Sequence, residues 1–151
     1  MRDIASLEEM RALVGTEVAV SEWVAITQER VNQFAVATND HQWIHVDVER
    51  ATRESPFGAT IAHGFLTLSL VPAMLESALR MVDMKMGLNY GLNKVRFPAP
   101  VPVGSRLRAR MTLQSVEDIE GGAQMAWHVV VQAEGSERPA CVAEFLVRMY
   151  N

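Results

Sequence analysis

A single cysteine, Cys141, stands in a chain of 151 residues. With no second thiol there is no internal disulfide, which excludes a disulfide-stapled miniprotein and fits a reducing compartment. We therefore expect a cytoplasmic protein. Long apolar runs are also missing. The richest, residues 65–75 (FLTLSLVPAML), is interrupted by Ser69 and Pro72. It falls well short of the roughly 20 residues that span a bilayer. The opening MRDIASLEEMRALVG carries acids where a signal peptide is apolar, so no membrane association is expected. There is no basic excess either: 14 Lys and Arg stand against 18 Asp and Glu, a net charge of −4. Sequence-independent nucleic-acid binding normally needs the opposite balance, so no nucleic-acid partner is expected. A P-loop is absent, and the spacing in GLNYG (residues 87–91) is wrong for a dinucleotide fingerprint. His41, His45, His63 and Asp47 invite a metal reading. However, Gln42-Trp43-Ile44 lacks the Glu of a zincin motif, and thiolate partners are lacking. No metal and no bound cofactor are expected.

What is present is an ordinary globular composition, 49% hydrophobic and 21% charged, at a length suited to one domain with a substantial core. No internal repeat or linker divides it, so residues 1–151 read as a single domain. Ser6-Leu7-Glu8-Glu9 has the form of a capping box, and Leu7, Met10 and Leu13 follow at helical spacing up to Gly15. Residues 17–26 alternate and predict a strand. Thr27 suits the cap of a helix running to about Thr38, with Val31, Phe34 and Ala35 inward. Residues 39–62 show no sustained period and read as a long structured loop, a class that often carries function. Residues 64–81 predict a helix apolar nearly all round, kinked at Pro72, that belongs at the centre of the fold. Four strands follow, at 85–97, 105–116, 123–133 and 140–150, with short connections that suit antiparallel pairing. In the last of these Cys141 sits on the apolar face, which reads as a buried strand thiol. One sheet curled round one helix is the simplest α+β arrangement that buries this pattern.

The stretch Asn39-Asp40-His41-Gln42-Trp43-Ile44-His45 carries the chemistry. A loop between Asp40 and His45 can fold a carboxylate and an imidazole onto one site, where together they hold a water and move its proton. The same spacing also suits an Asp that starts a turn and a hydrogen-bonded structural His. Gly64 opens the central helix after His63. Its N–H has no helical acceptor and can face an oxygen gaining negative charge, or the glycine simply permits tight packing. Lys94 with Arg96, and Arg106 with Arg108 and Arg110, share strand faces. They read either as a phosphate-binding patch or as exposed sheet surface. Trp43, Phe57 and Phe65 line an acyl site on one reading and the core on the other.

Together, residues 34–70 (FAVATNDHQWIHVDVERATRESPFGATIAHGFLTLSL) resemble the hydratase signature of the MaoC-like family, which includes the (R)-specific enoyl-CoA hydratases. DHQWIHVD, AHGF and NYGLNKVRFPAPVPVG resemble most closely its nodulation-protein-N-like branch. The resemblance implies a hot-dog fold, an antiparallel sheet wrapped round a long central helix. It also implies a homodimer joined edge to edge, and an acyl-CoA substrate. Asp40 and His45 match the family's catalytic pair, and Gly64 matches the backbone donor to the thioester oxygen. Gln42, Trp43, Phe57, His63, Lys94 and Arg96 are the expected substrate-binding residues. The chain departs from the usual signature at Asn39, where Gly precedes the Asp, and at Gln42-Trp43, where Asn-Pro stands. The implied activity is reversible hydration of a trans-2-enoyl-CoA to an (R)-3-hydroxyacyl-CoA. The rivals are a thioesterase on the same fold, a non-catalytic acyl-CoA-binding protein and a dehydratase acting on carrier-protein substrates.

Overall fold

A computed structural model describes all of residues 1–151. Its main sheet has the order β2-β6-β7-β8-β5, formed by β2 (Glu17–Val20), β6 (Arg106–Ile119), β7 (Gly122–Ala133), β8 (Cys141–Tyr150) and β5 (Met86–Arg96). A two-residue strand β3 (Val24–Ala25) also pairs with β6. All these pairings are antiparallel. Alternation along β6, β7 and β8 sends one row of side chains inward, from Leu107 through Trp127 and Phe145. That row meets Leu66, Val71 and Met74 of the central helix in one core. The expected α+β arrangement of an antiparallel sheet around a helix is therefore observed. Cys141 is fully buried in it, and desolvation pushes its thiol up to about 11.

The capping signals act as read. Ser6 Oγ accepts from Glu9 N–H at 3.2 Å to start α1 (Leu7–Ala12), and Glu9 returns a carboxylate to Ala5 N–H at 2.8 Å. Thr27 caps α2 (Gln28–Thr38) by accepting from Arg30 N–H.

Three elements differ from expectation. The strand predicted over 17–26 is split into β2 and β3, because Ser21 turns inward. Its hydroxyl oxygen, in place of a ladder carbonyl, accepts from Ala109 N–H at 2.8 Å. The predicted loop over 39–62 contains two short helices, α3 (Trp43–Val46) and α4 (Val48–Glu54). Asp47 starts the second by accepting from Arg50 N–H. The central helix is shorter than 64–81 and broken into α5 (Gly64–Ser69) and α6 (Val71–Ala78) at Leu70, with Pro72 in the first turn of α6. Pro is tolerated there because the early N–H groups of a helix lack intrahelical acceptors. Residues beyond Ala78 leave the helix as β4 (Leu79–Met81), which pairs in parallel with β1 (Arg2–Ile4). The sheet covers one side of the helix; Phe65, on the other, is 69% exposed.

The hairpin joining β6 to β7 turns at Gly121, which has φ of 77°. Next to it, a Cβ on Gly122 would sit 1.9 Å from the Met149 carbonyl oxygen. Backbone cannot yield there as a side chain can. Gly122→Ala is expected to lower stability by at least about 1–3 kcal/mol, read as a fall in the thermal melting midpoint.

Candidate active site

The site is assembled on residues 60–63, an extended segment bonded on both sides. On one side Ile61 N–H donates to Ile44 O at 3.0 Å, and Ile61 O accepts from His45 Nδ1 at 2.7 Å. On the other, Ala62 N–H donates to Val101 O at 2.8 Å and Val103 N–H donates to Thr60 O at 2.9 Å. Gln28 of α2 joins the same assembly. Its amide donates to His45 O at 2.8 Å, and its oxygen accepts from the buried Thr60 hydroxyl at 2.6 Å.

Asp40 is delivered by the end of α2. Asn39 takes the left-handed conformation (φ 58°) that Asn tolerates, and Asp40 N–H donates back to Ala35 O. Asp40 Oδ1 then accepts from Gln42 N–H at 3.4 Å. Asp40 thus makes the turn and presents its carboxylate, which is half exposed. The single turn of α3 carries His45 inward, where it is 7% exposed.

Because a carbonyl only accepts, the bond to Ile61 O requires the proton of His45 to sit on Nδ1, leaving Nε2 as the ring's acceptor. Burial pushes the imidazole below its ordinary 6.5. The Ile61 bond opposes this in part, His63 adds to it, and Asp40 opposes it. A neutral imidazole with a bare Nε2 is the form a general base needs. His63, 2% exposed, stacks on His45 with ring centroids 3.8 Å apart and planes 24° apart. Its Nε2 donates to Asp40 O at 3.0 Å.

His45, Gly64 and Thr67 line a cleft of about 270 Å³, walled by Phe97, residues 99–101 and Ala140. A Cβ on Gly64 would stand 3.0 Å from the Phe97 ring, so a larger residue there has to displace that ring. Thr67 is 1% exposed, and its hydroxyl has no partner within the chain.

The expected residues therefore divide. Asp40, His45 and His63 each place a ligating atom within 4.8 Å of the others. His63, expected as a substrate contact, is buried and touches Asp40 and His45. Gln42 lies beside Asp40 with its side chain exposed. Trp43 turns away from the cleft, its ring under the Arg50 guanidinium at 4.2 Å. Phe57 stands in an exposed turn outside the cleft. Lys94 and Arg96 line a separate recess with His128 and Glu144. Arg106 and Arg110 are paired with Glu134 and Glu17, while Arg108 bonds the Gln132 amide and lies over Trp23. The cluster of Asp40, His45 and His63 is poorly shaped for a metal. Near-parallel stacked rings point their in-plane lone pairs side by side, whereas a tetrahedral ion needs them to converge. Sequence reasoning missed Gln28, Thr60 and Thr67, for which spacing gives no signal.

Residues 9–134 match the model of the MaoC like domain. The chain belongs to the MaoC-like family. This MaoC-like chain is 55% identical over 149 residues to the 3-hydroxyacyl-thioester dehydratase Z of Mycobacterium tuberculosis, with 98% of each chain covered. It is 46% identical to Nodulation protein N of Rhizobium leguminosarum bv. viciae, covering 93% of this chain and 89% of that one. Among solved structures, the Monoamine oxidase regulatory protein of Archaeoglobus fulgius superposes with a TM-score of 0.80 at 23% identity. The match covers 99% and 97% of the two chains. The hot-dog fold and the nodulation-protein-N-like affinity implied by the signature both hold.

Two outcomes follow from this MaoC-like geometry. Gln28→Ala is expected to cost about 1–3 kcal/mol, because it leaves the buried Thr60 hydroxyl unpaired; urea unfolding measures it. His45 binds its proton less tightly in the folded chain than in the unfolded one. Its contribution to stability is therefore complete above 6.5 and is lost as pH falls through the lower folded value. Unfolding curves at pH 7.5 and below 6 are expected to show a loss of stability that His45→Gln diminishes.

Proposed function

We propose that this chain is a hydro-lyase, an (R)-specific enoyl-CoA hydratase that adds water reversibly across a trans-2-enoyl-CoA to give an (R)-3-hydroxyacyl-CoA. The observation that carries the reading is the Asp40–His45 pair. The ring locked to Ile61 O lines a cleft together with Gly64, and the solvated Asp40 carboxylate has an oxygen within 4.8 Å of a ring nitrogen of His45. The name of the 55% identical relative, a 3-hydroxyacyl-thioester dehydratase, supports the same chemistry read in the reverse direction.

In the forward direction Asp40 accepts a hydrogen bond from the attacking water and His45 Nε2 takes its proton. The oxygen bonds to C3, the C2–C3 π pair moves toward the thioester, and a proton from the pair closes C2. The oxygen that gains charge is stabilised by Gly64 N–H. Elimination retraces these steps. No cofactor is required for this chemistry; the CoA thioester is substrate.

The second part of the proposal is a homodimer. β5 is an edge strand of eleven residues with its outer side unpaired. Met86, Leu88, Tyr90 and Leu92 along it are exposed, as are Phe65 and Phe97 nearby. A long apolar edge of this kind is a template for strand pairing, and a second copy joined along β5 covers it.

Loss of the enoyl-thioester absorbance of crotonyl-CoA and longer trans-2-enoyl-CoAs tests the activity. Asp40→Asn and His45→Gln are each expected to lose about 10²–10⁴-fold in turnover while remaining folded. Gly64→Ala is expected to lose about 10–100-fold through displacement of Phe97 and of the substrate. Near-normal rates in both Asp40→Asn and His45→Gln refute the assignment. Release of free CoA thiol instead of hydration moves it to a thioesterase. Sedimentation measures the dimer, and a charged substitution at Leu88 is expected to dissociate it.

A further inference from the structure

We propose that His63 is a positioning residue for both members of the Asp40–His45 pair. This inference rests on the hydratase reading above and deepens it.

His63 is 2% exposed and does not line the cleft, so it presents no atom to a ligand there. It nevertheless touches the main chain of Asp40 and the ring of His45. Its Nε2–H donates to the main-chain oxygen of Asp40 at 3.0 Å. Asp40 lies on an exposed connection between α2 and α3, with exposed residues from Val36 through Gln42. Besides the local turn bonds to Ala35 and Gln42, two bonds tie this connection to buried residues: His45 N–H donates to Gln42 O at 3.0 Å, and the His63 bond holds Asp40 directly. It fixes where the carboxylate stands relative to His45.

The second contact acts on His45 itself. One hydrogen bond, from Nδ1 to Ile61 O, locates an imidazole but leaves its plane free to rock about the bond. The His63 ring lies against that plane at 3.8 Å and removes the freedom. The direction of Nε2 is then set by two constraints. Phe34 of α2 closes on His63 at 5.0 Å with a 57° tilt, so the positioning ring is itself confined. His63 also immediately precedes Gly64 at the start of α5, which places carboxylate, base and backbone donor on one buried side chain and its neighbour.

Two substitutions separate this role from simple filling of space. His63→Phe keeps a stacked ring and loses the N–H. His63→Gln loses the ring and keeps an amide N–H near the place of Nε2. With enoyl-CoA as substrate, His63→Phe is expected to lower kcat about 10–100-fold with KM changed less than about threefold. His63→Gln is expected to recover at least fivefold of that loss. In ¹⁵N spectra the amides of Asp40 and Gln42 are expected to shift in His63→Phe and to return toward wild-type positions in His63→Gln.

Wild-type kcat in His63→Phe overturns the proposal, as does a His63→Gln variant no faster than His63→Phe, or unmoved Asp40 and Gln42 amides. A wild-type protein that hydrates no enoyl-thioester overturns instead the functional reading on which this one rests, and the amide shifts then report the His63–Asp40 anchor separately.

Discussion

Residues 60–63 are the constraint on which the site depends. Four main-chain groups of residues 60–62 are bonded, two toward α3 and two toward residues 101–103. The first pair fixes His45 and the tautomer it adopts. The second pair ties the same stretch to the turn between β5 and β6, and so to the sheet. Because His63 and Gly64 follow directly, the start of the central helix inherits this placement. A loop held only by solvent-exposed side chains would wander by more than proton transfer tolerates; main-chain bonding on both flanks removes that freedom.

The two members of the pair sit in contrasting surroundings. Asp40 is half exposed and stays solvated, while His45 is buried. Desolvation disfavours the imidazolium, so the ring waits in its neutral form, and the carboxylate needs no buried countercharge. On the proposed mechanism, these contrasting surroundings suit the two groups to opposite halves of one proton movement. The cost is borne locally, in the ordering of an α2–α3 connection that has little apolar surface of its own.

Much of this was legible in the chain because the signals were local. Thr27, Ser6 and the alternation of the four long strands mark their elements within a few residues. Asp40 and His45 are close in sequence, and a family signature surrounds them. The break at Ser21 was not legible, since a serine replacing a ladder carbonyl looks like any serine in an alternating strand. Pro72 marked an interruption in the central helix, but not its position at Leu70, where the apolar pattern runs on unchanged. Gln28, Thr60 and the true contacts of His63 depend on elements distant in sequence, so spacing could not reveal them. The aromatic and basic residues expected at the substrate are spread more widely: Trp43 packs under the Arg50 guanidinium, Phe57 stands in an exposed turn, and Lys94 and Arg96 line a separate recess.

The lone thiol has a practical corollary. Cys141 is sealed between β7 and the core, opposite Val131, and its raised titration leaves almost no thiolate at neutral pH. An alkylating reagent can reach it only when the core packing around it opens. The folded protein is therefore silent toward a thiol reagent, and any slow uptake of label counts those openings. The chain carries its own built-in clock for local unfolding, readable with a thiol reagent and no engineered cysteine.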